Sequence, residues 1–260
     1  MDFWQKQISR AGELVETSAG ATGLLAFYIH LLRAQSQVYE YFLSQHLNAS
    51  GVLEQDLAML RPAFSMIVEV VNHAGPAPLV TRAQTVKSMA PEAIDEMLVA
   101  YWHDPSDTEF FAKASLQPYG QFIASTGVQS LNRSGATSER LCRFCGGKPQ
   151  LSFLQNKETS AESGNRDLMC AKCLSVWPFR RAVCAYCGEE QPSKLGYFQT
   201  TAINHVRIEA CDTCKRYLKG VDLTRSGNAQ PLVDEVAAAA LDLWAIEHGY
   251  TKIELNLVGL

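Results

Sequence analysis

Apolar positions recur at helical spacing from residue 1 to about 130. Phe3, Trp4, Ile8, Ala11 and Leu14 predict an amphipathic helix over 3–17. Leu24, Leu25, Tyr28, Leu31, Leu32, Ala34 and Val38 predict a longer one over 21–46 with a wide apolar face. Residues 52–73 continue the pattern, and Pro62 predicts a break or kink. Gly75-Pro76-Ala77-Pro78 reads as a loop, and Pro91 opens a helix to about Trp102. Ser106-Asp107-Thr108-Glu109 fits a capping box ahead of a helix from Phe110 toward Ala124, interrupted at Pro118. Asn132 to Arg140 is polar and aperiodic and reads as a linker.

The pattern then changes. Over 141–222 short β-like runs are broken by paired cysteines. Residues 232–248 predict a last helix, with Asp234 and Glu235 in its first turn and Gly249 at its end. Ile253 to Val258 predicts a terminal strand. The chain therefore divides into a helical domain (1–131), two metal-binding units (141–225) and a C-terminal helix and tail packing on the rest (231–260).

All eight cysteines lie in C-x-x-C pairs: Cys142/Cys145, Cys170/Cys173, Cys184/Cys187 and Cys211/Cys214. Two cysteines three apart on a tight knuckle aim both sulfurs at one ion, and two knuckles complete a tetrahedron. Four pairs predict two metal ions. Similar gaps separate Cys145 from Cys170 and Cys187 from Cys211, and both first knuckles end Cys-Gly, at Gly146 and Gly188. This internal repeat of knuckle, hairpin, knuckle pairs the first knuckle with the second and the third with the fourth. An interleaved pairing stays open. Structural disulfides fit poorly, because C-x-x-C rings are strained and the chain reads as cytoplasmic. A thioredoxin-like centre needs one C-x-x-C at a helix start in a βαβ setting. Iron–sulfur clusters use other spacings. Four sulfurs suit zinc or a single rubredoxin-type iron alike, and spacing does not choose.

Charge refines the picture. The net charge is -4, which argues against a nucleic-acid partner. Residues 141–225 nevertheless carry 13 basic and 8 acidic side chains. Each four-thiolate site holding a divalent ion carries about -2, so this excess offsets two metal centres more readily than it forms a DNA stripe. An apolar fraction of 47% and a charged fraction of 19% are those of a folded globular chain. No uncharged apolar run reaches the roughly 18–20 residues of a membrane span. Lys6 and Arg10 are followed by Glu13 and Glu16 where a secretory signal would be apolar. The expected location is the cytoplasm.

Trp177, Pro178 and Phe179 are expected to form a small core between the two units. His205 is not needed as a ligand and is expected at the surface. His30, His46, His73, His103 and His248 are scattered, without metal-binding spacing. Phosphate-binding and nucleophile-elbow motifs do not occur. Sites closed by four cysteines lack the open position of a catalytic zinc, so the chain is expected to be a binding protein and no enzyme.

The cysteine segment resembles the formate dehydrogenase accessory protein FdhE family. The likeness is carried by Cys142-x-x-Cys145-Gly146 with Pro149, by Cys170-x-x-Cys173 followed by Trp177, Arg181 and Cys184-x-x-Cys187, and by Cys211-Asp212-x-Cys214 followed by Tyr217-Leu218-Lys219. The ending, Leu241-Asp242-Leu243 through Glu247 and Gly249-Tyr250, is also similar. The likeness covers about 141–255. Over 1–140 only the helical layout agrees, and Asn256-Leu257-Val258 stands where the family often has Asn-Pro-Phe.

The resemblance implies an α+β protein: a helical N-terminal domain, tandem rubredoxin-like or zinc-ribbon four-cysteine units, and a C-terminal helix. It implies a non-enzymatic maturation factor, an adaptor or chaperone for the catalytic subunit of a respiratory formate dehydrogenase, holding iron or zinc. The alternatives are a rubredoxin-type electron-transfer or redox-sensing protein and, more remotely, a zinc-ribbon nucleic-acid binder. Arg180, Arg181, Lys215, Arg216 and Lys219 are candidate partner contacts because they are basic and lie beside the knuckles. The sequence leaves homo-oligomerisation open.

Overall fold

A computed structural model describes residues 2–18, 20–44, 49–126, 138–156 and 165–260. Most of the expected linker and His46 lie outside these residues. Six helices come first: α1 (Phe3–Thr17), α2 (Thr22–Ser44), α3 (Leu53–Ala74), α4 (Ala77–Lys87), α5 (Pro91–His103) and α6 (Phe110–Ser125). Asp2 caps α1 by accepting the Gln5 N–H at 2.8 Å. The apolar stripe of α2 faces α1, α3 and α6. Helix α6 is buried from Phe111 through Gly120.

Several expectations fail here for local reasons. Pro62 does not break α3. It and Ala58, whose carbonyl it leaves unbonded, are on the exposed face, where water can serve that carbonyl. Pro118 does not interrupt α6. The carbonyl it frees belongs to Ala114, and the buried Gln35 of α2 donates to that oxygen at 3.0 Å. The expected loop after Gly75 is short, because Pro76 and Pro78 sit where a helix start tolerates proline, and α4 begins at Ala77. Helix α6 starts at Phe110 as expected, but without the capping box. Ser106 Oγ turns to Thr108 instead, and no side chain caps the helix.

The strands are β1 (Pro149–Gln155), β2 (Asn165–Cys170), β3 (Val176–Pro178), β4 (Leu195–Gln199), β5 (Val206–Cys211), β6 (Arg216–Asp222) and β7 (Thr251–Lys252). They form one sheet of order β3-β2-β1-β6-β5-β4, with β7 beside β6. The repeat read in the sequence is visible as two antiparallel three-stranded units, β1-β2-β3 and β4-β5-β6. They join head to tail through the parallel β1–β6 pair.

The predicted last helix is two, α7 (Pro231–Ala237) and α8 (Ala239–Glu247), broken at Ala238. The cause is packing. Helix α7 is wedged between α1 and α2 on one side and β1 and β6 on the other. Its first-turn acids are therefore buried ion-pair partners, with no exposed helix end to complement. Asp234 accepts from Arg10 at 2.7 and 3.1 Å, from His205 Nε2 at 2.7 Å and from the Gln230 N–H at 2.7 Å. Glu235 meets Lys252 and Gln150. The expected terminal strand is also shorter and earlier, at Thr251–Lys252. Beyond it Asn256 Oδ1 accepts the N–H groups of Val258 and Leu260, which turns the chain.

Candidate metal centres

Each unit carries its cysteines on the loops at one end of a hairpin. In the first, one knuckle precedes β1 and the other follows β2. In the second, the knuckles precede β4 and follow β5. In the first knuckle the Gly146 N–H donates to Cys142 O at 2.8 Å, and in the third the Gly188 N–H donates to Cys184 O at 3.0 Å. The residue after each second cysteine has positive φ: Gly146 at 72°, Leu174 at 58°, Gly188 at 84° and Lys215 at 54°. Glycine supplies this conformation freely at two knuckles. At the other two, Leu174 and Lys215 are held in it. The sequence marked the position only where it was glycine, although the shared offset from each C-x-x-C points to all four.

The knuckles bring the cysteines together as the repeat predicted. Cys142, Cys145, Cys170 and Cys173 form one cluster, and Cys184, Cys187, Cys211 and Cys214 the other. Sγ separations are 3.7 Å for Cys142–Cys173, 3.4 Å for Cys145–Cys170, and 3.7 Å for both Cys184–Cys214 and Cys187–Cys211. Disulfide sulfurs would be about 2.05 Å apart. A tetrahedron with metal–sulfur bonds of about 2.3 Å has edges near 3.8 Å. The donor sets thus fit one four-coordinate ion each. Backbone N–H groups of Lys172 and Tyr186 point at Cys170 and Cys184 Sγ, both at 3.4 Å. Three thiols of the first cluster differ in acidity. Burial drives the Cys170 and Cys173 thiols well above their ordinary range, while hydrogen bonds from Cys145 and its neighbours hold Cys142 far below it. A cation entering the cluster would displace the thiol protons.

The surroundings of the two clusters differ. All four cysteines of the first are buried, against the helices. Gln117 of α6 donates to Ala171 O at 2.9 Å, and Lys172 Nζ reaches Trp102 O of α5 at 2.6 Å. In the second, Cys187 and Cys214 are only partly buried. Its neighbours are surface pairs: Thr213 with Glu189 at 2.6 Å and Lys215 with Asp212 at 2.6 Å.

Other candidate residues are placed as follows. Trp177 is buried and donates Nε1–H to Glu139 O at 2.9 Å. Phe179 lies under the Arg166 guanidinium, and Pro178 is exposed. Arg180 pairs with Glu139 and Glu190 on the surface. Arg216 stacks on Tyr186 and donates to Lys252 O. Two expectations are overturned. His205 is not a surface residue, because it is drawn in to Asp234 at the base of α7. Lys219 is not a surface base either. It is fully buried and paired with Asp242, which also accepts from Tyr217 at 2.9 Å. Burial lowers the Lys219 pKa to about 8.

Residues 182–258, which contain the second cluster, match the family described as FdhE, C-terminal domain. A protein FdhE homolog from Aquifex aeolicus is 28% identical over 209 residues, 79% of this chain and 72% of the relative. One from Shewanella oneidensis is 28% identical over 152 residues, 58% and 49% respectively. One from Pseudomonas aeruginosa is 32% identical over 127 residues, 46% and 40%. The match thus spans half or less of the last two relatives. The fold is shared with the crystal structure of the FdhE protein from Pseudomonas aeruginosa, at a TM-score of 0.70 and 21% identity, covering 99% of this chain and 95% of that one. Residues 182–258 thus match the FdhE C-terminal domain, and the chain is similar in sequence to FdhE homologs and shares the fold of an FdhE protein.

Proposed function

We propose that the eight cysteines hold two metal ions and that the chain is an accessory factor, adaptor or chaperone, for the catalytic subunit of a respiratory formate dehydrogenase. The observation that carries this reading is the FdhE C-terminal domain at 182–258, built around a four-sulfur cluster. The family resemblance supplies the formate dehydrogenase partner. The geometry supports a binding role, since four sulfurs close around each centre and leave no position for a substrate. A bound ion would cross-link two knuckles in each unit. The chain's own residues set the knuckle turns, aim the sulfurs and hold the first cluster against α5 and α6. Iron and zinc both suit four thiolates. Elemental analysis of anaerobically purified protein is expected to find about two ions per chain.

The test of the partner is purification of the tagged protein from its own host without oxygen, with bound proteins identified by mass spectrometry. Recovery of a formate dehydrogenase catalytic subunit is the expected outcome. A deletion strain with undiminished formate dehydrogenase activity would overturn the proposal.

A further inference from the structure

We propose that the two clusters divide their labour: the first fastens the helical region to the sheet, and the second exchanges its metal with solvent while the fold stays intact. This rests on the cysteines being metal ligands and is independent of the accessory role.

The first ground is access. Ligand exchange at a closed thiolate site starts when a competing donor reaches the ion or a sulfur. Cys142, Cys145, Cys170 and Cys173 are between 0% and 8% exposed, so a donor reaches them only after the structure opens locally. Cys187 and Cys214 are partly exposed, so a donor can approach the second site from solvent without local opening.

The second ground is what each cluster touches. The second knuckle, Cys170 to Cys173, is gripped by α5 and α6. Gly120 faces it so closely that a Cβ there would stand 2.6 Å from Cys173 Cβ and 2.8 Å from its Cα. Gln117 holds Ala171 O, and Gln117 is itself held by Gln35 Nε2 at 3.0 Å. Lys172 reaches Trp102 O from the same knuckle, with its ammonium 4.5 Å from the indole centroid. An ion that ties this knuckle to the first therefore also fixes the surface on which α6 rests. Around the second cluster, Asp212 takes Lys215 and the Tyr250 hydroxyl, and Arg140 donates to Tyr186 O at 2.6 Å; these bonds are exposed. Their loss would leave the contact between helices and sheet untouched.

The test uses the metal-replete full-length chain, challenged with excess chromogenic chelator. Metal release is followed by absorbance, and the docking of α6 by amide hydrogen exchange. Two phases are expected, one equivalent each, with rates differing about tenfold or more because the slower requires local opening. Through the fast phase α6 should keep its protection, and iodoacetamide should then label Cys187 and Cys214. Gly120→Ala should quicken the slow phase and leave the fast one unchanged. Cys214→Ser should remove the fast phase alone. Release of both equivalents at one rate, first labelling at Cys142, Cys145, Cys170 or Cys173, or an unaltered slow phase in Gly120→Ala would overturn the division. A purified chain without metal would instead count against the ligand assignment itself.

Discussion

Arg166 of β2 and Glu209 of β5 meet at 2.6 Å across the two strands that lie between them, with side chains only 3% and 7% exposed. The pair ties one repeat to the other. Glu209 also accepts from Arg207 at 2.8 Å, and Arg166 donates to Arg180 O and Val183 O. Burial alone would raise the Glu209 pKa, but the two guanidinium groups outweigh it and hold the carboxyl below its ordinary range. Glu209→Ala leaves Arg166 charged, buried and short of its partner. The expected loss is about 3–5 kcal/mol in chemical denaturation. Gly220→Ala should cost less but disturb the same carboxylate, since a Cβ there would stand 2.6 Å from Glu209 Oε1, the oxygen that accepts from Arg207. A loss below about 1 kcal/mol for Glu209→Ala would mean the pair does not join the repeats.

Acid should loosen α7. Burial would raise the Asp234 pKa, yet hydrogen bonds from His205 and Arg10 bring it below the ordinary carboxylate value. A depressed carboxyl contributes stability that is present above its unfolded pKa, near 3.9, and is lost as pH falls through the folded one. Stability measured from about pH 5 down to about pH 3 should therefore decline, and Asp234→Asn should flatten part of that slope. Glu209 is depressed in the same way and will keep the rest of it. An unchanged slope in Asp234→Asn would refute the assignment.

The Gln35–Pro118 relationship is open to a double-mutant cycle. Gln35→Leu strands the Ala114 carbonyl, and the expected loss is about 1–3 kcal/mol. Pro118→Ala restores an N–H for that carbonyl. In that background the cost of Gln35→Leu should shrink to what its bond to Gln117 contributes. Equal costs in both backgrounds would show that the carbonyl is not what Gln35 serves.

The knuckle turns make opposite predictions at matched positions. Gly188→Ala places a Cβ at a φ of 84°, and stability should fall by about 1–2 kcal/mol. Lys215→Gly relieves a φ of 54° and removes an exposed pair with Asp212. That pair contributes little, so the expected change is from neutral to about 1 kcal/mol of gain. Thermal unfolding of the metal-replete variants reads both.

The clusters were legible because a metal-binding knuckle is a local motif. Spacing and the repeated Cys-Gly favoured the pairing that the clusters show, though they left an interleaved one open. The helices were legible where one face is apolar, as in α2. What escaped depends on partners far along the chain. Nothing near Pro118 says that Gln35 will take the carbonyl it frees. His205 and Lys219 look like surface bases until Asp234 and Asp242, brought in by α7 and α8, draw them inward. The break at Ala238 likewise reflects where α7 must wedge, and residue pattern carries no sign of it.

The parallel β1–β6 pair has a consequence for self-association. Because the repeats are related by translation, the edges that made this join recur at the two ends of the sheet. Strand β4 stands where β1 does in its unit, and β3 stands where β6 does. Among the described residues neither has a second neighbour. A second molecule could in principle add β3 to β4 as β6 adds to β1, without closure and without limit. Strand β3 has three residues where β6 has seven, too few to repeat the ladder.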